Sequence, residues 1–214
     1  QIGHDMNLNP RTPVLVGVGQ LKNHVKDLGA AVEPLSMMLT ASRKAEADTG
    51  VSLLDKVDSV RVVRGVWGYS NPAQAIADRI GAADAQTAGT LFGDNQNQAL
   101  INQTAKEIFA GKVELVLITG AENGYSAAKA RKTGVTLSAT EAPGEPDVVF
   151  GHDQKSEHHE NEIAKGIRTA IQVYPMYENA IRHARGESMD GHLARVSGLW
   201  SRFNDVAQRN PNAW

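Results

Sequence analysis

Hydrophobic positions along the chain follow two rhythms, and both occur in succession between residues 90 and 126. Ala99, Leu100, Ile101, Ala105, Ile108 and Phe109 recur three to four positions apart, which predicts a helix over 95–110. Gly111 stands where a left-handed residue closes such a helix. The run Leu115, Val116, Leu117, Ile118 is the pattern of a short strand buried on both faces. Upstream, 13–19 (PVLVGVG) predicts another buried strand. Pro34 opens a helix that turns Leu35, Met38, Leu39, Ser42 and Ala45 inward and stops at Gly50. Residues 57–67 alternate and then run apolar, which predicts a strand with Arg61 and Arg64 exposed or near its ends. Trp67, Tyr69 and Asn71 lead through Pro72 into a helix over 73–80, closed by Gly81, and the aromatic pair is expected to pack. A further strand is expected over 87–92. Strands alternating with helices predict an α/β fold built from parallel βαβ units.

The pattern changes after Gly120. A short helix over 127–132 carries Lys129, Arg131 and Lys132, and 135–150 reads as an irregular loop broken by Pro and Gly. Residues 151–161 are charged, and 162–174 fit either a helix or an extended approach. Pro175 is expected to open a helix ending near Arg185, capped by Gly186. Asp190 is expected to cap a last helix over 192–209, with Val196, Leu199, Trp200, Phe203 and Val206 on its apolar face. The expected organisation is an α/β core over 13–126 and a helical segment over 127–214.

Composition narrows the function classes. Lys and Arg number 22 against 24 Asp and Glu, with no basic stripe, so nucleic acid is not an expected partner. The 214 residues contain no Cys, which removes disulfides, thiolate chemistry and Cys-ligated metal from this chain. No segment has the apolar length of a membrane span, no secretory leader pattern opens the chain, and a cytoplasmic location is expected. Gly17-Val18-Gly19 lacks the third glycine of a dinucleotide fingerprint, because Lys22 takes that place. His152, His158 and His159 lie near Asp153, Glu157, Glu160 and Glu162 without a ligand spacing, so a solvated loop and no metal are expected. Ser126 is not in a nucleophile elbow.

Three stretches together resemble a known family. They are Glu107-Ile108-Phe109-Ala110-Gly111, then Val116-Leu117-Ile118-Thr119-Gly120-Ala121-Glu122-Asn123, and a C-terminal region with Tyr174, Tyr177 and Asn210-Pro211-Asn212-Ala213-Trp214. The chain resembles the N-terminal half of the thiolase superfamily, in particular the sterol-carrier-type thiolase-like proteins of the acetyl-CoA acetyltransferase family. The resemblance implies a thiolase-like α/β fold: a mixed, mostly parallel sheet flanked by helices, with a helical loop-domain insertion at the C-terminal end. It implies acyl-CoA binding or acyl transfer in lipid or sterol metabolism, with acyl-CoA as ligand and no resident cofactor.

Counting back from Gly111 places Asp94 where the family has its nucleophilic Cys, and a one-residue slip gives Gly93 or Asn95. No catalytic residue is therefore assigned. Asp94 either caps the helix by accepting from the amides of Gln96 or Asn97, or lines an acyl pocket with Asn95 and Gln96. Lys129, Arg131 and Lys132 are candidates for the coenzyme A phosphates. The resemblance also implies that the family's second half is absent. The open apolar edge of a four-stranded sheet would then call for a second polypeptide or a chain remainder to cover it. Besides a degenerate acyltransferase, a thiolase-like carbon–carbon lyase subunit working with a partner chain and a non-catalytic scaffold remain open.

Overall fold

Proline starts and glycine stops set the first helices. Helix α1 (Pro34–Thr49) has its proline in the first turn and ends at Gly50, whose φ of 73° is left-handed. Helix α2 (Pro72–Ile80) repeats the arrangement, with Asn71 as cap and Gly81 at φ 82°. The computed structural model describes residues 9–93, 95–151, 158–211 and 213. It divides into two compact units, Gln1–Asp153 and Gln154–Trp214.

The first unit holds a sheet of four parallel strands, β1 (Ser59–Val62), β2 (Gln86–Thr90), β3 (Val116–Thr119) and β4 (Val148–Phe150), in the order β3-β1-β2-β4. In register, Val60 stands beside Thr87 on one side and Leu117 on the other, and Ala88 beside Val148. Strand alternation sends Val60, Val62 and Leu117 to one face, where they pack with Leu35 and Met38 of α1 and Ile76 of α2. Ser59 and Arg61 point to the other face, towards α3 (Gln96–Phe109).

Arg61 is fully buried, not exposed as its charge suggested. Its Nη1 donates to the Thr104 hydroxyl at 2.8 Å, its Nη2 pairs with Glu107 at 2.5 Å, and its Nε donates to the Ser59 hydroxyl at 3.3 Å. The guanidinium also lies 5.0 Å from the centre of the Phe150 ring. Burial is tolerated because the charge and its donors are met. Burial alone would raise the Glu107 pKa. Hydrogen bonds from Gln103 and Arg61, with the charges of Arg61 and Lys112, bring it below the ordinary carboxylate value.

Residues 13–19 do not form the expected strand; they lie outside the sheet, with Leu15 83% exposed. Their glycines instead press on α1. A Cβ on Gly17 would stand 2.3 Å from the Ala45 carbonyl oxygen, and one on Gly19 2.1 Å from that of Ala41. The Val18 amide donates to Asp48 at 2.9 Å, and Lys44 donates to the Gln20 carbonyl at 3.1 Å. Close backbone approach to a helix has replaced strand pairing. The fourth strand comes instead from the end of the expected loop. The Asp147 carboxylate accepts from both the amide and the hydroxyl of Thr87 at 2.8 Å, which pins β4 beside β2.

On α3, Leu100 and Thr104 are buried, while Ile101 and Phe109 of the predicted apolar face are about half exposed. Helix α4 (Gly124–Thr133) follows β3 and is longer than expected at both ends. The second unit contains α5 (Glu160–Ala164), α6 (Ala170–Ala184) and α7 (Met189–Arg209). Helix α6 begins ahead of Pro175, because Gln172 accepts from the amides of Arg168 and Thr169 at 2.9 and 3.0 Å. The cap of α7 is Ser188 rather than Asp190: its hydroxyl accepts from the Gly191 amide at 3.1 Å. Among the described residues, no helix is long and apolar enough to cross a membrane.

Candidate functional site

All four strands are parallel, so their carboxyl ends share one side of the sheet, and the loops leaving them are tied together. After β1, the Arg64 amide donates to the Thr90 hydroxyl at 2.9 Å, and the Val66 amide to Glu122 at 2.6 Å. The Trp67 indole donates to the Ala121 carbonyl at 3.0 Å. A glycine is needed at 65, where a Cβ would stand 2.3 Å from the Trp67 indole nitrogen and 2.6 Å from Glu122. Glu122, noted in sequence as part of the post-strand turn, thus clamps the β1 and β3 loops.

The chain leaves β1 for α2 on one face and β2 for α3 on the other. In an open α/β sheet, the crevice between two such strand ends is where ligands are bound. A cavity of about 240 Å³ lies there, lined by Val62, Arg64, Trp67, Ala88, Leu91 and Phe92 among others. Asn71 borders it as the cap of α2, accepting from the Gln74 amide at 3.2 Å and donating to the Glu145 carbonyl at 2.9 Å. The Arg64 guanidinium lies 5.1 Å from the centre of the Trp67 ring and donates to the Tyr69 carbonyl at 3.3 Å. Trp67 and Tyr69 themselves pack, with ring centres 5.2 Å apart.

Behind the crevice, Tyr69 donates to Glu33 at 3.0 Å. Burial, reinforced by that carboxylate, pushes the Tyr69 pKa up to about 12, although the Leu35 amide bond works the other way. Burial would raise Glu33 too. The hydroxyl and amide of Thr140, each at 2.6 Å, with Tyr69 and Ser36, outweigh it and hold the carboxyl below its ordinary range. This is a clasp between α1 and the 136–142 loop, and its groups are fully occupied with one another. A separate cavity of about 820 Å³ lies beside β3, between the 13–19 segment, Ala41 and Ala45 of α1, and Ile101 and Ile108 of α3.

Asp94 lies outside the described residues. Asn95 is exposed and stands at the cap position of α3 without a capping bond from its side chain. Gln96 is buried, and its amide group would lie 3.3 Å from a Cβ on Gly151. Leu91 and Phe92, rather than Asn95 and Gln96, line the crevice. Lys129 donates to the Lys26 carbonyl, while Arg131 and Lys132 are exposed. Helical spacing puts Lys129 and Lys132 on one side of α4 and turns Arg131 away, so the three do not form one patch.

Of the histidine cluster, His152, Asp153 and Glu157 lie outside the described residues. His159 caps α5, its Nδ1 accepting from the Asn161 amide at 3.2 Å, while its own amide donates to Glu162 at 2.7 Å. Among the described residues, no three His, Cys, Asp or Glu side chains gather as a metal site. Arg64, expected from sequence to be exposed or near a strand end, is exposed just past β1, but sequence reasoning assigned it no functional role. The available signal was its place just past the last paired residue of a parallel strand, where ligand-facing side chains collect.

No protein-family model and no curated protein sequence matches the chain. Among solved structures, the chain is similar to a monomeric SCP2-thiolase like protein type 1 (STLP1) from Mycobacterium smegmatis, with a TM-score of 0.62 and 26% identity. The match covers 95% of this chain and 37% of that one. The fold is thus thiolase-like, and the chain spans little more than a third of the length of the protein it resembles.

Proposed function

We propose that the chain is a thiolase-like acyl-CoA-binding protein of the acyltransferase kind, serving lipid or sterol metabolism in the cytoplasm and not active as a thiolase on its own. The observation that carries this reading is the crevice at the carboxyl ends of β1 and β2, which opens beside the turn into α3. By resemblance, that turn is where a thiolase presents its nucleophile. A thiolate held at a helix N-terminus gains from the dipole and attacks a thioester. These 214 residues supply no Cys for that role, and Asp94 takes the matching sequence position. A carboxylate there would be stabilised, hence a weak nucleophile. Asn95, exposed at the cap of α3, would border the thioester, and Lys129 and Lys132 would meet coenzyme phosphates. The rest of the assembly, a chain remainder or a second polypeptide, would supply the remaining groups. The absence of a thiol also suits a carbon–carbon lyase subunit.

Acyl-CoA titration of the whole chain, followed by turnover assays, tests this. Binding with no thiolysis of a 3-oxoacyl-CoA is the expected result. Cleavage of a 3-hydroxyacyl-CoA in the presence of a partner chain would move the assignment to the lyase. Thiolysis by this chain alone, or no affinity for any acyl-CoA, would overturn it, the latter leaving a scaffold.

A further inference from the structure

We propose that the crevice between the carboxyl ends of β1 and β2 holds the acyl group itself, and that Arg64 selects short acyl groups ending in a carboxylate. This rests on the acyl-CoA reading above and adds the substrate class.

Three observations converge. The walls are mostly apolar: Val62, Ala88, Leu91 and Phe92 line the crevice, with Pro146 just ahead of β4 and Val149 within it. The polar Ser70, Asn71 and Thr90 stand beside them. The space, about 240 Å³, falls below the roughly 300–1,000 Å³ of pockets for drug-sized ligands, so it suits a chain of a few carbons. Among the described residues that line it, Arg64 is the one that carries a charge. A purely hydrocarbon ligand gives no reason for a cation in that wall, whereas a terminal carboxylate does.

Arg64 is also positioned, not merely present. The Trp67 ring supports one face of its guanidinium, and the Tyr69 carbonyl holds one nitrogen. Its backbone is fixed by the Thr90 hydroxyl. With one nitrogen on the Tyr69 carbonyl, the guanidinium keeps donors for a carboxylate, which it can grip through two parallel N–H···O bonds. Lysine would offer the charge without the fork. The bland alternative is a surface arginine that rests on an aromatic ring for packing, and such a residue would not tell one acyl terminus from another.

The experiment compares ligands that share coenzyme A and differ at the far end of the acyl group. Butyryl-CoA and hexanoyl-CoA are set against glutaryl-CoA and adipoyl-CoA, by calorimetric titration of the 214-residue chain at fixed salt. Since the coenzyme phosphates are identical in every arm, a difference reports the acyl terminus. Because Arg64 is exposed to solvent, its ion pair predicts that the carboxylate-ended ligands bind about twofold to fivefold more tightly. Arg64→Gln abolishes that preference, read within each variant as the ratio of the affinities for the two ligand kinds. Arg64→Lys retains part of the preference, and near-ultraviolet circular dichroism confirms that both variants keep the parent fold. Equal affinity for both ligand kinds, or a preference that survives Arg64→Gln, overturns the assignment to Arg64 and leaves the acyl-CoA reading standing. Failure of the unmodified chain to bind any of the four ligands overturns both.

Discussion

Units Gln1–Asp153 and Gln154–Trp214 use the same amphipathic helical pattern and dispose of it differently. In the first, Leu35 and Met38 of α1 and Ile76 of α2 are closed against Val60 and Val62 of the sheet and are essentially inaccessible to water. In the second, Met189, Leu193, Trp200, Phe203 and Val206 of α7 are exposed, and His192 is the one buried residue on α6 and α7. Polar contacts at the turn between those helices bind them. Glu187 pairs with Arg185 at 2.6 Å and with Arg195 at 3.0 Å, and Arg195 meets the His192 ring at 3.1 Å. An apolar stripe becomes core only when a second layer covers it; otherwise caps and ion pairs hold the helices. Trp200 and Phe203, edge to face at 5.6 Å, pack on each other within one helix.

The sharpest way to break the comparison is to attack the buried charge of the first unit. Arg61→Ala leaves Glu107 without its cation and is expected to cost about 3–5 kcal/mol, nearer the lower end because the carboxylate retains some access to water. The double change Arg61→Met with Glu107→Leu should recover most of that loss in urea denaturation. No recovery would mean that the pair itself, rather than an orphaned charge, stabilises the fold.

Next in size is a matched pair of truncations. Ile76→Ala removes methyl groups from a fully buried position and should cost about 2–5 kcal/mol. Phe203→Ser, at a residue more than half exposed, should change the unfolding free energy by no more than about 0.5 kcal/mol. If the two losses are similar, the α7 stripe is covered in solution and the contrast between the units fails.

The smallest effect concerns the Glu33 clasp. Its pKa is lower in the folded chain than the ordinary 4.5. The stabilisation is therefore complete above that value and is lost as pH falls through the folded pKa. The gap in thermal midpoint between the parent and Glu33→Gln should be widest near neutrality and narrow below about pH 4.5. A gap that stays constant across that range would show that the carboxylate charge contributes nothing to the clasp.

Much of the architecture was legible in order along the chain. Pro34, Gly50, Pro72, Gly81 and Gly111 mark helix ends where punctuation rules place them. The apolar run at 115–118 supplied β3, but not as a strand buried on both faces: at the edge of the sheet it buries Leu117 and Thr119 and leaves Val116 and Ile118 only partly covered. The site was less legible. Asn95 and Gln96 were singled out by counting along a helix, but the crevice wall comes from residues just before them and from Arg64, well away in sequence. Pattern reasoning assigns an arginine in a strand to the surface. Arg61 contradicts it because Thr104, Glu107 and Phe150, supplied by later elements, meet every side of the guanidinium.

The sequence by itself determined that this protein is an α/β chain of alternating strands and helices, nearly neutral and without a thiol. Those properties are local, set by periodicity, backbone restriction and composition. Only the tertiary structure decided which apolar segments enter the sheet. Residues 13–19 and 148–150 both have strand character, but Gly17 and Gly19 let the first lie against α1, while Asp147 pins the second to Thr87. Strand membership depends on partners distant in sequence, and hydrophobic pattern measures the wish for burial without naming the surface that satisfies it.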